Sequence, residues 1–186
     1  MKRCLVGSEM CIRDSIRINA VNDFHDDNLY IESCASKIST TQQRIGKPDK
    51  LLFSFHGIPQ SYVCEDEPYQ SQCLVTASLI AKKLNLNESQ YEVAFQSRFG
   101  KAEWIKPYLS SRLEELPQEG IHNIHVFCPG FSSDCLETID EIGRESKEEF
   151  LEHGGKSFEF ISCLNSEESF INALMNIQKK ADIKIL

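Results

Sequence analysis

The stretch CPGFSSDCLETIDEIGRE, residues 128–145, decides how the chain is organised. It reads as the end of a strand, a tight turn and a helix that the pattern extends over residues 134–153. Three carboxylates, Glu137, Glu141 and Glu145, recur every fourth residue and would lie along one stripe of that helix. Like charges at this spacing destabilise an isolated helix by about 0.2–0.5 kcal/mol per pair. The stripe is therefore either a solvated surface or a set of groups that hold cations or protons.

A solvated surface is the simpler interpretation of the stripe. Asp134 can cap the helix, and Glu137 three residues later completes a capping box. The glutamates lie roughly opposite an apolar face that we expect to be buried. That face carries Leu136, Ile139, Gly143 and Phe150.

Length and composition exclude several classes of protein. A chain of 186 residues with 41% hydrophobic content can bury one sizeable core. The net charge of −8, with scattered Lys and Arg, argues against nucleic acid as a partner. No segment has the features of a membrane span or a signal peptide, so we expect a cytoplasmic protein. The 8 cysteines form no C-x-x-C pair, which favours reduced thiols over disulfides, a zinc site or an iron–sulfur cluster.

The chain divides into four parts by its pattern. Residues 1–15 share no period with the rest and resemble translated vector or adapter sequence, so we interpret them as a non-native leader. Residues 16–29 are predicted to form a linker, and His25 there to be an exposed loop residue. One domain is predicted over residues 30–180, followed by a tail at 181–186.

Helical and strand patterns alternate along the domain. Helices are predicted over 30–44, 68–84, 108–116, 134–153 and 167–179, and strands over 51–55, 91–96, 124–128 and 158–161. This alternation predicts an α/β fold with an open four-stranded parallel sheet flanked by helices. In such sheets ligands bind beyond the carboxyl ends of the strands. The loops at 56–59, 97–100 and 129–134 should therefore face one site.

His56 and Glu137 would meet at this edge of the sheet. A lone histidine after a strand is usually structural, but an imidazole opposite a carboxylate can shuttle protons or hold a divalent ion. The chain has neither a glycine-rich phosphate loop nor a serine nucleophile elbow.

Several motifs, in the same order, resemble ferrochelatases of Gram-negative bacteria. They are FSFHGIP at 53–59, PY at 68–69, QSRFG at 96–100, Trp104, PY at 107–108 and CPGFSSDCLET at 128–138. The resemblance runs from about residue 23 to about residue 178. It identifies residues 30–180 as the C-terminal chelatase domain of a two-domain protein, a Rossmann-like half.

The resemblance implies a lyase that inserts ferrous iron into protoporphyrin IX and releases two protons, the last step of haem biosynthesis. Its active-site histidine falls on His56 and its catalytic glutamate on Glu137. Its further acidic residues fall on Glu141 and Glu145, so that all four are candidate iron ligands. Iron is then a substrate, and we expect no tightly bound cofactor and no iron–sulfur cluster. We also expect like charges to raise the pKa values of these carboxyls.

Four side chains are candidates for binding the porphyrin. Tyr69, Trp104 and Phe131 can wall a large aromatic ring. Arg98 can meet either a propionate or a neighbouring acid.

Two departures from the family pattern limit these expectations. Cys135 replaces a histidine found in many ferrochelatases, which we interpret as subtype variation. The family's first domain, which forms one side of the porphyrin cleft, does not precede this sequence. We therefore expect a C-terminal fragment with little activity alone, a missing N-terminal domain as partner, and peripheral contact with a membrane. The alternatives are a cobalt or other tetrapyrrole chelatase, and a non-catalytic half-domain that binds porphyrin or metal.

Overall fold

The computed structural model describes residues 20–64 and 67–182. Its four strands are β1 (Lys50–His56), β2 (Tyr91–Gln96), β3 (Asn123–Phe127) and β4 (Ser157–Ile161). They form one sheet in the order β2-β1-β3-β4, and every neighbouring pair is parallel. The predicted open four-stranded parallel sheet is confirmed.

One helix precedes the first strand, others connect successive strands, and one follows the last strand. They are α1 (Asn28–Ile45), α2 (Tyr69–Lys83), α3 (Leu109–Gln118), α4 (Leu136–Ile139), α5 (Lys147–Glu152) and α6 (Glu168–Asp182). A short 3₁₀ turn at Gln60–Tyr62 follows β1, and a π-helical segment at Glu141–Ser146 joins α4 to α5. Among these described helices, none is long and apolar enough to cross a bilayer.

The first helix begins slightly earlier than its pattern predicted. Helix α1 begins inside the predicted linker because the Asp27 carboxylate accepts the backbone N–H groups of Leu29 and Tyr30. Gly46, at φ 96°, ends the same helix, as predicted. The predicted leader at 1–15 lies outside the described residues, as does the predicted tail apart from the last two residues of α6.

Helices cover both faces of the sheet. Alternate residues of β1 point to opposite faces, so Phe53 and Phe55 pack with α1, α2 and α6, whereas Leu52 packs with α3 and α5. Ile142 of the π-helical segment is buried on the second face. Because both faces are covered, the carboxyl edge of the sheet is where a ligand can approach the strand ends.

Helix α3 runs one residue past Pro117, where the sequence pattern predicted its end at residue 116. A proline in the last turn removes a single intrahelical hydrogen bond, so the helix tolerates it. The chain turns at Gly120, which has φ 86°.

The prediction of one continuous α-helix over residues 134–153 is wrong, because a π-helical segment divides it. The Glu145 N–H donates to the Asp140 carbonyl at 2.9 Å, the i→i−5 bond of a π turn. The side chains buried along this stretch are Thr138, Ile142, Ser146 and Phe150. Leu136 and Ile139, predicted to be buried, are 72% and 60% exposed. The prediction assumed 3.6 residues per turn throughout the helix. The wider π turn instead brings every fourth residue, from Thr138 to Phe150, to the buried face.

The predicted cap of this helix is also wrong. Cys135 is the N-cap, and it forms the capping box with Thr138 rather than with a glutamate. The Asp134 carboxylate instead accepts the backbone N–H of Cys163 at 3.0 Å and the side-chain amide of Asn165 at 2.7 Å. Asp134 therefore ties the loop after β3 to the loop after β4.

Candidate active site

His56 is the last residue of β1, whereas the sequence pattern placed it one residue after the strand. Its ring is half-buried at the carboxyl edge of the sheet. The Nδ1 atom lies 2.7 Å from the Gly57 carbonyl oxygen. Because a carbonyl can only accept, this contact is a hydrogen bond when Nδ1 carries the proton. In the neutral ring the Nε2 atom then keeps its lone pair, which is available for a proton or a metal ion.

Three of the four candidate porphyrin-binding side chains surround His56. The ring centroids of Trp104 and Phe131 lie 6.3 Å and 6.4 Å from the centroid of the imidazole. The Tyr69 hydroxyl donates to the His56 carbonyl at 2.8 Å. Residues from two loops and the start of α2 therefore converge on the end of β1.

Of the two roles that the sequence left open for Arg98, contact with a neighbouring acid is not found in the part of the chain that the structure describes, and contact with a propionate stays a prediction. The Arg98 guanidinium lies over the ring of Tyr108, 4.8 Å from the centroid. This is a cation–π contact, and among the described residues Arg98 forms no ion pair with an acid.

Glu137 lies in the first turn of the broken helix and is half-buried. The pKa of its carboxyl is lowered by its own backbone N–H, by the Cys135 side chain and by the charge of His56. The expectation of a raised pKa is therefore wrong for this residue, because hydrogen bonds to the charged form outweigh the effect of desolvation.

The next two glutamates of the stripe have different surroundings. The Glu141 carboxylate accepts both the backbone N–H and the hydroxyl of Ser97, each at 2.6 Å. Glu145 is exposed and forms an ion pair with Arg144 at 3.0 Å.

A cavity of about 180 Å³ runs beside the stripe. Its lining includes Ser97, Arg98, Tyr108, Glu141, Glu145 and Glu149. The acidic stripe is thus not a plain solvated surface, since a groove lies beside it.

Glu149 also lines this cavity and was not predicted, although it continues the spacing of four residues along the helix. Burial and the nearby Glu114 carboxylate raise the pKa of Glu149.

The four predicted iron ligands do not close around one point. Within residues 20–64 and 67–182, three ligand atoms come within 4.8 Å of one another only at Asp23, His25 and Asp26. The stripe instead offers carboxylates one after another along the helix.

Sequence reasoning assigned no role to Gln96 or Ser97, although both belong to the QSRFG motif. Gln96 is a buried amide at the end of a buried strand, and a polar residue in that position is a usable signal.

The fold and the edge residues together describe an α/β protein with a histidine and carboxylates gathered beside aromatic walls. A sequence profile of the ferrochelatase family matches residues 4–182. The chain is 45% identical over 157 residues to a ferrochelatase of Idiomarina loihiensis, covering 84% of this chain and 43% of the relative. It is 43% identical over 165 residues to one of Janthinobacterium sp. (strain Marseille), covering 89% and 45%. It is 46% identical over 154 residues to one of Teredinibacter turnerae, covering 83% and 42%.

The chain therefore belongs to the ferrochelatase family, as its motifs predicted. It spans less than half the length of these curated relatives, between 42% and 45%.

Proposed function

We propose that this chain forms the C-terminal half of a ferrochelatase, which inserts ferrous iron into protoporphyrin IX. In that reaction the lone pairs of the pyrrole nitrogens bind Fe²⁺, two pyrrole protons leave, and protohaem is the product. The family match over residues 4–182 carries the proposal, and it is supported by the rings of Trp104 and Phe131, whose centroids lie 6.3 Å and 6.4 Å from that of His56 at the carboxyl edge.

His56 and Glu137 have complementary roles in this proposal. The free Nε2 of His56 can accept a pyrrole proton or hold iron, since Nδ1 faces the Gly57 carbonyl. The lowered pKa of Glu137 keeps its carboxylate charged at neutral pH, so it can bind Fe²⁺, and the second pyrrole proton would leave through the acids that follow it on the helix.

Glu141 and Glu145 would pass iron or protons along the groove beside the helix. Carboxylates are good oxygen ligands for divalent ions, and the cavity gives them access to solvent. Because these carboxylates follow one another along the helix, they suit the transfer of iron or protons better than the permanent binding of one ion. This interpretation makes iron a substrate that occupies each ligand only in passing.

The porphyrin would lie against Trp104, Phe131 and Tyr69, which supply one wall. The relatives contain about as much chain again as the part matched here, so we propose that their N-terminal domain supplies the opposite wall. We also propose that the protein is cytoplasmic and that it contacts a membrane peripherally. The exposed Phe99, at 84%, lies on the loop after β2 and could contact lipid.

Porphyrin binding can be tested with the single tryptophan of the chain. Protoporphyrin bound beside Trp104 should quench its fluorescence, and the Phe131→Ala variant should weaken the binding at least several-fold. Leu174→Ala is a matched control, because Leu174 lies on α6 away from the site. Equal binding by all three proteins would contradict this placement of the porphyrin.

Metal insertion needs a separate test, in which formation of zinc protoporphyrin is followed by its fluorescence. We expect the chain alone to bind porphyrin and to insert zinc slowly or not at all. Adding the N-terminal domain of a close relative should raise the rate, and His56→Ala or Glu137→Gln should abolish the gain. Full turnover by the isolated chain would contradict the proposed need for a second half.

The same assay separates the alternatives. Binding without insertion, even with the second domain, would identify a non-catalytic half-domain, which the half-length match to the relatives favours as the second candidate. Competition between ferrous iron and cobalt would identify a chelatase of different metal preference.

A further inference from the structure

Gln96 occupies a central position between the sheet and the broken helix. Its side chain is 3% exposed. The Oε1 atom accepts the hydroxyl of Ser54 at 2.7 Å and faces the Cys128 thiol at 3.5 Å. The Nε2 atom donates to the Glu137 carbonyl at 2.7 Å and lies 3.4 Å from the Glu141 carboxylate. One amide thus joins β1, the end of β3 and the helix that carries the acids.

Ser97 extends this connection through its backbone. Its φ of 63° is in the left-handed region, which is unfavourable for a residue that carries a Cβ atom. In this conformation both its N–H and its hydroxyl reach the Glu141 carboxylate. Two charge-assisted hydrogen bonds offset the backbone cost.

We propose that Gln96 is a positioning residue, which with Ser97 holds the junction between α4 and the π-helical segment and so fixes Glu137 and Glu141 at the carboxyl edge of the sheet. The carbonyl of Glu137 stands where the helix changes from α to π geometry, and irregular helix geometry leaves backbone groups in need of partners. The Gln96 amide supplies that partner from a rigid, buried strand end.

The chemistry of the amide explains why glutamine suits this position. Its two ends must accept from Ser54 and donate to the Glu137 carbonyl, and only an amide of this length does both. Glutamate would place an acceptor against a carbonyl oxygen and beside the Glu141 carboxylate. Methionine would keep the volume but make neither bond.

Hydrogen exchange measured on the whole chain tests the positioning role directly. We expect Gln96→Met and Gln96→Glu to speed amide exchange at residues 138–146 at least tenfold, with little change in β1. Ser97→Ala, which keeps the N–H bond to Glu141, should give a smaller increase. Gln118→Glu is the matched control, because that exposed amide also donates to a helix carbonyl, at 3.2 Å, but far from the site. Unchanged exchange in both Gln96 variants would overturn the proposal.

Binding of Co²⁺, followed by its visible absorption, tests whether the positioning matters for metal handling. The Co²⁺ experiment rests on the proposed function. The part of the Co²⁺ absorption that is lost in His56→Ala is the part that comes from the proposed metal site. We expect both Gln96 variants to bind Co²⁺ about 10–100-fold more weakly, as supporting residues around metal ligands do. A simple charge effect would make Gln96→Glu bind more tightly, so that result would overturn the positioning role. If wild type and His56→Ala bind Co²⁺ equally, the proposed metal site fails, and the exchange result alone decides the inference.

Discussion

At the level of single residues, Gly57 has the tightest surroundings in the site. A Cβ atom there would lie 2.9 Å from the Gln96 carbonyl oxygen and 3.0 Å from the Trp104 ring. Both neighbours are held in place, the first by the sheet and the second by a hydrogen bond from its indole N–H to the Phe99 carbonyl at 3.0 Å. Glycine therefore allows the loop after β1 to approach the loop after β2.

We predict that Gly57→Ala destabilises the domain by about 1–3 kcal/mol, because overpacking forces one of these neighbours to move. Urea unfolding measures the stability, and a shift of Trp104 emission reports the displaced ring. Gly143→Ala is the control, since its nearest neighbour would lie at an ordinary 3.5 Å. An equal loss in both variants would contradict the steric explanation.

At the level of elements, the loops that follow β3 and β4 depend on one carboxylate. Burial alone would raise the pKa of Asp134, but hydrogen bonds from Asn165 and Cys163 lower it overall. Its folded-state pKa is therefore below the unfolded value. Stability from this group is fully present above pH 4 and is lost as the pH falls through the lowered pKa.

We predict that Asp134→Asn costs about 1–3 kcal/mol at pH 7, because the charged acceptor of these bonds is lost. The difference from wild type should shrink when urea unfolding is repeated at pH 3. Asp140→Asn is the control, since Asp140 forms an exposed pair with Arg144 that solvent screens, and its loss should change stability little at either pH. A constant difference between pH 7 and pH 3 would argue against the role of the charge.

At the level of the whole molecule, the first and last helices close one face of the sheet together. Phe170 of α6 is 2% exposed and its ring lies 6.1 Å from that of Tyr30 in α1. The Tyr30 hydroxyl donates to the Pro129 carbonyl, in the loop that carries Phe131. The core on this face of the sheet therefore holds the loop after β3, which belongs to the candidate site, in place.

We predict that Phe170→Ala lowers the free energy of unfolding by about 3–5 kcal/mol, because it leaves a cavity in the core. Thermal and urea unfolding of the chain measure this loss. Phe99→Ala, which truncates an exposed ring of the same type, should change stability by about 0.5 kcal/mol or less. A large loss in the second variant would show that the exposed loop is part of the core after all.

Much of the fold could be predicted because it depends on local patterns. Apolar runs separated by helical periods predict a parallel sheet, and such a sheet brings its strand ends to one edge. His56 and the loop before Glu137 therefore could be placed at the same edge without coordinates. The motifs also identified the family, which the comparisons confirmed.

The sequence by itself determined the class of fold, the edge that carries the site and the family. Only the tertiary structure decided the π-helical segment, the exposure of Leu136 and Ile139, and the contact of Arg98 with Tyr108. The physical reason is the distance along the chain. The helix takes its irregular form in contact with Gln96, some 41 residues before Glu137, and a local period contains no information about such a partner.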